Sequence, residues 1–284
     1  MAGINIDGKS VAVSGNEIWD TLQHPSRLGG IYSGCDTPRG ADADGMRFFG
    51  QHHLIAHNYI HDIHAVSPAN PDPHVDCFQT WGSDAMIVDD VTFAANRCRW
   101  PNAAAGQNHA AMLEGSKHPV GTLRFVNNVF VNMSLGIIVG AGQPSGVGAI
   151  KLWNNTFAHL LKEAVIFSDA RSAADEVINN IFYDVGSGGD SYLCLRGGDP
   201  IIETNDFYMP RGARPGTYCS HAPYLNLDPL FVNSGDQNGI RADYHLRIGS
   251  PLKDQGTPIP GVAIDYDAIA RPAGTGWSIG AFQR

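Results

Sequence analysis

The sequence has little charge, less of it cationic than anionic, and no long apolar run. Only 17% of its 284 residues are charged, and 19 Lys and Arg stand against 28 Asp and Glu, a formal net charge of −9. No basic run of the kind that follows a phosphate backbone occurs, which argues against nucleic acid as a partner. No stretch approaches the roughly 20 uninterrupted apolar residues needed to span a bilayer, so no membrane partner is expected. The five cysteines, at 35, 77, 98, 194 and 219, form no CxxC pair and show no His spacing suited to structural zinc. Their odd number leaves at least one free thiol, and a pair between Cys194 and Cys219 stays open because sequence does not fix their separation. The first residues, Met1 to Asn5, lack the basic and apolar regions of a signal peptide. Residues 9–14 nevertheless read as a strand with nothing before it to cover its edge, so a secreted or periplasmic protein with its leader removed is expected. With 43% hydrophobic residues the chain is too apolar to be disordered, and 33 Gly suggest short elements joined by tight turns.

An asparagine followed two places later by a large apolar residue or cysteine recurs at Asn16, Asn58, Asn96, Asn128, Asn155, Asn180 and Asn205. The intervals are 42, 38, 32, 27, 25 and 25 residues, a basic unit of about 25 with insertions toward the N-terminus. Before the asparagines, Val91 and Phe93, Leu123 and Phe125, and Ile150 and Leu152 flank Thr92, Arg124 and Lys151, the period of two of a strand with one buried face. A second apolar strand precedes each of these. Two or three short strands per repeat without a helical pattern describe coils of a parallel β-helix. Its recurring asparagines would occupy left-handed turns and bond from coil to coil as a ladder. Cys98 falls on a core position and reads as a buried apolar filler.

The chain resembles the right-handed parallel β-helix superfamily, rich in polysaccharide lyases, hydrolases and epimerases. Residues 228–233, 243–246, 250–256 and 279–282 are similar to the terminal segment of many bacterial secreted members. The resemblance implies an all-β, right-handed, single-stranded parallel β-helix with an asparagine ladder, one domain over 1–284. Its coils would run over about 4–210 and a closing segment over about 211–284.

The extra residues of the early repeats fall before the first strand of three successive coils. Loops of roughly 20–44, 62–76 and 99–109 should therefore wall a cleft. In this register Asp44, Asp76 and His109 share one row, Arg47, Gln79 and Met112 a second, and Phe49, Trp81 and Glu114 a third. Coils stack at about 4.8 Å, so Asp44 and Asp76 are within reach of one proton or one calcium ion. His74 lies two places before Asp76 in the densest polar group of the chain. Gln79, Trp81, Glu114, Arg99 and His61 are candidate substrate contacts, Trp81 because aromatics stack on sugar rings. The histidines 52, 53, 57, 61 and 64 fall on both strand faces and across a turn, which argues against a single zinc site.

Three chemistries remain open. A lyase or C5-epimerase acting on a uronic-acid polymer needs a base for the C5 proton and a cation for the adjacent carboxylate. His74 or His109 can serve as base, and Arg47, or calcium held by Asp44 and Asp76, as neutraliser. Asp72, Pro73 and His74 also resemble the Asp-Pro-His core of mannuronan C5-epimerases, which implies active-site roles for Asp72 and His74. Here Val75 stands where an acidic residue is expected, and Asp76 is displaced by one. A glycoside hydrolase would use Asp44 and Asp76 as its carboxylate pair. A non-catalytic glycan-binding solenoid would use the same cleft. The polysaccharide is the expected partner in each case, and oligomeric state is left open.

Overall fold

Alternation of inward and outward side chains, repeated every coil, stacks the apolar residues of successive coils into one continuous interior. A computed structural model describes residues 2–21, 43–63, 74–82, 87–101, 107–115, 118–140, 146–186, 193–195, 198–210, 225–235 and 239–283, with His74 and Gln107 described in backbone alone. Asp72 and most of the expected loops 20–44 and 62–76 lie outside these residues. All regular structure described is β, and among the described residues no helix is long and apolar enough to cross a membrane.

Twenty-one strands form three parallel seven-stranded sheets. The first sheet includes Asp44–Phe48, His74–Trp81, Gln107–Glu114 and Leu135–Val139; the second Leu54–Ala56, Val91–Ala94 and Leu123–Val126; the third Tyr59–His61, Arg97–Arg99 and Val129–Val131. The chain visits the sheets in the same rotation in every coil, a solenoid-like path consistent with a parallel β-helix. Strands His74–Trp81 and Gln107–Glu114 begin earlier than the apolar pattern predicts. Residues 74–76 and 107–109 are therefore strand and not loop, held by parallel pairing of Gln107 with His74 and His109 with Asp76.

Ile18, Ile60, Cys98, Phe130, Phe157, Phe182 and Phe207 align in register through the third sheet. The phenylalanine rings stack with centroids 5.0 Å apart for Phe130 and Phe157 and 5.2 Å for Phe157 and Phe182. Cys98 holds its core position but is no mere filler, because it forms a disulfide with Cys77 of the first sheet, Cα atoms 6.4 Å apart. Both residues are fully buried, so the bond crosses the interior of one coil. Cys194 is also disulfide-bonded, and its partner is not among the described residues.

The repeating asparagines are linked in series. Asn58 Nδ2 donates to Asn96 Oδ1 at 3.0 Å, Asn96 to Asn128 at 3.0 Å, Asn128 to Asn155 at 3.0 Å and Asn155 to Asn180 at 3.0 Å. The left-handed turn residue is not this asparagine but the one before it: His57, Ala95, Asn127, Asn154, Asn179 and Thr204 all have φ between 50° and 59°. The division of labour has a physical reason. The row asparagine must aim its amide along the solenoid, so the preceding residue takes the positive φ that turns the chain.

That turn explains the doubled asparagines. Asn127, Asn154 and Asn179 direct their amides to the C-terminal segment, at Ile264 O (2.8 Å), Ser278 O (3.2 Å) and Thr257 O (2.7 Å). Phe231, Tyr244, Leu246, Leu252, Ile279 and Phe282 of this segment pack on Val129, Val131, Ala158 and Ile181 of the third sheet. Ile259, Val262 and Trp277 cover Val126 and Ile178 of the second. None of these C-terminal residues packs on the first sheet, whose outer side carries the polar rows.

Candidate functional site

Gly45 and Cys77 both face the interior: a Cβ on Gly45 would lie 2.6 Å from Ile60 Cγ2, and Cys77 bonds Cys98. Their neighbours Asp44 and Asp76 therefore face out. Met46 is also a core residue, so two consecutive residues of this strand turn inward and the alternation slips by one. That slip puts Asp44 and Arg47 on the same outer face, three positions apart, where Arg47 Nε donates to Asp44 Oδ2 at 2.6 Å.

Parallel pairing joins neighbouring members of each row counted from spacing. Asp76 pairs with His109, Arg47 with Gln79, Gln79 with Met112, and Trp81 with Glu114 in the parallel register. Asp76 and His109 are in direct contact, Nδ1 of the imidazole 2.7 Å from Asp76 Oδ1. Asp44 Oδ1 accepts the Asp76 backbone N–H at 3.2 Å. Asp44 and Asp76 are fully buried and His109 nearly so, although all three belong to the outer face. Burial pushes the Asp44 carboxyl up to about 7, the charge of Asp76 adds to the rise, and Arg47 opposes it. Nε2, the ring nitrogen not engaged by Asp76, is buried as well.

Arg47 is anchored, among the described residues, through Nε alone. Among the described residues its two terminal amino groups have no hydrogen-bond partner, and its guanidinium lies 5.4 Å from the Trp81 ring centroid. Trp81 is half-buried and meets Phe49 edge-on, centroids 4.7 Å apart. Phe49 is buried.

Other candidates are not brought to this row. Arg99 and His61 pair with each other on the third sheet, not the first. Arg99 is buried there, donating to Asp62 Oδ2 at 2.6 Å and to the Tyr59 hydroxyl at 3.0 Å, while His61 contacts Asp62 and Glu17. Both close off a packed polar cluster. His74 reaches the first sheet in backbone register with Gln107. His53 spans Phe49 O and Val11 N, an internal brace in place of a metal ligand.

Both Asp44 oxygens already accept hydrogen bonds, one from the Arg47 cation, and Asp76 Oδ1 is engaged by His109. No group of three or more His, Cys, Asp or Glu suited to a metal occurs among the described residues. The ion pair of Asp44 with Arg47 escaped sequence reasoning because strict alternation would place residues three apart on opposite faces. A glycine between an acid and a core methionine was the available signal.

No protein-family model matches the chain, and no curated protein sequence matches it. The fold and the site therefore define the class on their own: an all-β, solenoid-like protein of parallel sheets with a buried acid–imidazole row on one face.

Proposed function

We propose that the protein is a polysaccharide-active enzyme that removes the C5 proton of a uronic-acid unit, leading to eliminative cleavage or C5-epimerisation. The observation that carries this reading is the contact of Asp76 with His109 beside an arginine whose terminal amino groups have no protein partner. His109 Nε2 takes the C5 proton, with Asp76 fixing the tautomer and stabilising the imidazolium. Arg47 neutralises the substrate carboxylate as negative charge spreads into it from C5. In elimination the C5 electron pair forms the C4–C5 double bond as the C4–O bond breaks. Asp44, whose raised pKa keeps it partly protonated near neutrality, returns a proton to the departing oxygen. In epimerisation the C4–O bond stays intact, a water molecule gives a proton to the opposite face of C5, and the His109 imidazolium returns its proton to the hydroxide left behind.

Several finer features belong to the same proposal. The coil is right-handed, the sense taken by nearly all crossovers between parallel strands. The asparagine row serves as a ladder along its axis, and the single domain ends in the C-terminal segment. The Cys77–Cys98 disulfide supports an oxidising, extracellular or periplasmic location.

One observation favours a second reading. Asp44 and Asp76 are carboxyls on adjacent coils with Asp44 raised to about 7, the division of acid and base that glycoside hydrolysis requires. The test is activity on uronate-containing and neutral polysaccharides, with and without calcium, for wild type, His109→Ala and Asp76→Asn. Ultraviolet absorbance from new double bonds, lost in both variants, is the expected result for elimination; C5 inversion lost in both variants is expected for epimerisation. Reducing ends without absorbance or inversion would establish hydrolysis. Binding without any turnover would establish a glycan-binding solenoid.

A further inference from the structure

Gln79 stands beside Arg47 in the parallel register of the first sheet, so both side chains rise from the same face about 4.8 Å apart. Gln79 is 4% exposed, and its Oε1 is buried with no hydrogen-bond partner among the described residues. A buried acceptor left unmade is costly, and native proteins rarely retain one without a use for it. The catalytic contacts of Asp76 and His109 do not involve it. The pair thus offers two amino groups of a cation, which call for a carboxylate, and one acceptor next to them, which calls for a hydroxyl or N–H donor. A uronic-acid ring carries both groups on one rigid frame.

We infer that Arg47 and Gln79 together read a single uronate unit, the guanidinium taking its carboxylate and Gln79 Oε1 accepting from one free ring hydroxyl, so that a unit lacking that hydroxyl is refused. The inference rests on the uronate reading above and adds a specificity element to it. Discrimination arises in the negative: without the donor, Oε1 stays buried and unpaired in the complex, a penalty that a methylene-sized difference in an apolar pocket does not impose. Trp81, two places beyond Gln79 on the same strand, lies with its ring centroid 5.4 Å from the Arg47 guanidinium and restricts its swing.

The test is binding of methyl uronosides, their 2-, 3- and 4-deoxyfluoro analogues and the matching neutral methyl glycosides, followed by ligand-observed NMR titration on the intact protein. Fluorine preserves size while removing the donor. The expected result is that the parent uronoside binds more tightly than the neutral glycoside and that one of the three analogues binds at least tenfold more weakly than the parent. In Gln79→Leu that analogue and the parent should bind alike, with the preference for the carboxylate retained. Equal binding of all three analogues to wild type overturns the inference without any variant. Undiminished discrimination in Gln79→Leu overturns it as well. If the uronoside binds no better than the neutral glycoside, the uronate reading itself fails and the inference with it.

Discussion

Replacing Asn128 by Leu tests how the coils are joined. Asn128 Nδ2 donates to Phe93 O at 2.9 Å and to Asn155 Oδ1 at 3.0 Å, and its Oδ1 accepts from the backbone and side-chain nitrogens of Asn96 at 2.9 Å and 3.0 Å. Leucine has a similar size but makes none of these bonds. Asn96 Nδ2 keeps Ile55 O, and Asn155 Oδ1 keeps the Asn128 backbone N–H. Phe93 O keeps its place in the parallel ladder with Phe125 and Val126, so the Asn96 backbone N–H is the group left unsatisfied in the interior. At about 1–3 kcal/mol for an unsatisfied buried group, the cost is about 1–3 kcal/mol. For a chain of this size that corresponds to a fall in Tm of roughly 2–10 °C. Asn16→Ala is the internal control, because Asn16 lies on the first described coil, half-buried, and donates to Asn58 and Ser14. It should cost about 1 kcal/mol or less. Thermal melts followed by circular dichroism decide the matter. Equal losses at Asn128 and Asn16 would refute the view that buried coil-to-coil bonds stabilise the solenoid.

Three further outcomes follow from the same geometry. Cys77→Ala with Cys98→Ala should cost about 2–4 kcal/mol, the usual contribution of a bond closing a loop of some twenty residues, with unchanged denaturant midpoints as the contrary result. Asp44 holds a proton in the folded state, up to about 7, that the unfolded chain has lost above its ordinary value of 3.8. Its contribution therefore declines from about pH 4 to pH 7, and Asp44→Asn should gain stability relative to wild type across that window; a pH-independent difference would contradict this. Burial lowers the His245 pKa, but the hydrogen bonds of Asp267 and Asp243 outweigh it and hold the ring above its ordinary 6.5. The stabilisation is complete below 6.5 and lost as pH rises through the folded value, so His245→Gln should be most destabilising in acid, and a deficit growing with pH in melting experiments would oppose the assignment.

Much of the scaffold was legible because a solenoid writes its register into the chain. The small residues that close the first strand of each coil, Gly50, Gly82 and Gly115, lie 32 and 33 residues apart, so the pairing of Arg47 with Gln79 and of Asp76 with His109 could be read by counting. Features that depend on distance across the coil were not legible. The bond of Cys77 to Cys98 joins two sheets, and nothing in a spacing of 21 residues reveals that their sulfurs meet in the interior. The surroundings of His61 and Arg99 were not legible for a related reason. They sit where the third sheet leads into the long loops, near the expected cleft in sequence, yet they are fixed in a cluster with Asp62, Tyr59 and Glu17. The turn asparagines were placed one residue late, because sequence marks the asparagine pair without telling which member takes the positive φ.

The central claim is that the contact of Asp76 with His109 removes a proton from a uronate unit held by Arg47. Its most direct measurement is exchange of the C5 hydrogen of oligouronates for deuterium in heavy water, read by NMR alongside absorbance from double bonds. The account predicts C5 chemistry in wild type, as exchange, inversion or elimination, and a loss of about 10²–10⁴-fold in Asp76→Asn with the fold intact. An undiminished rate in Asp76→Asn, or C5 hydrogens that stay inert in every uronate tested, would contradict it.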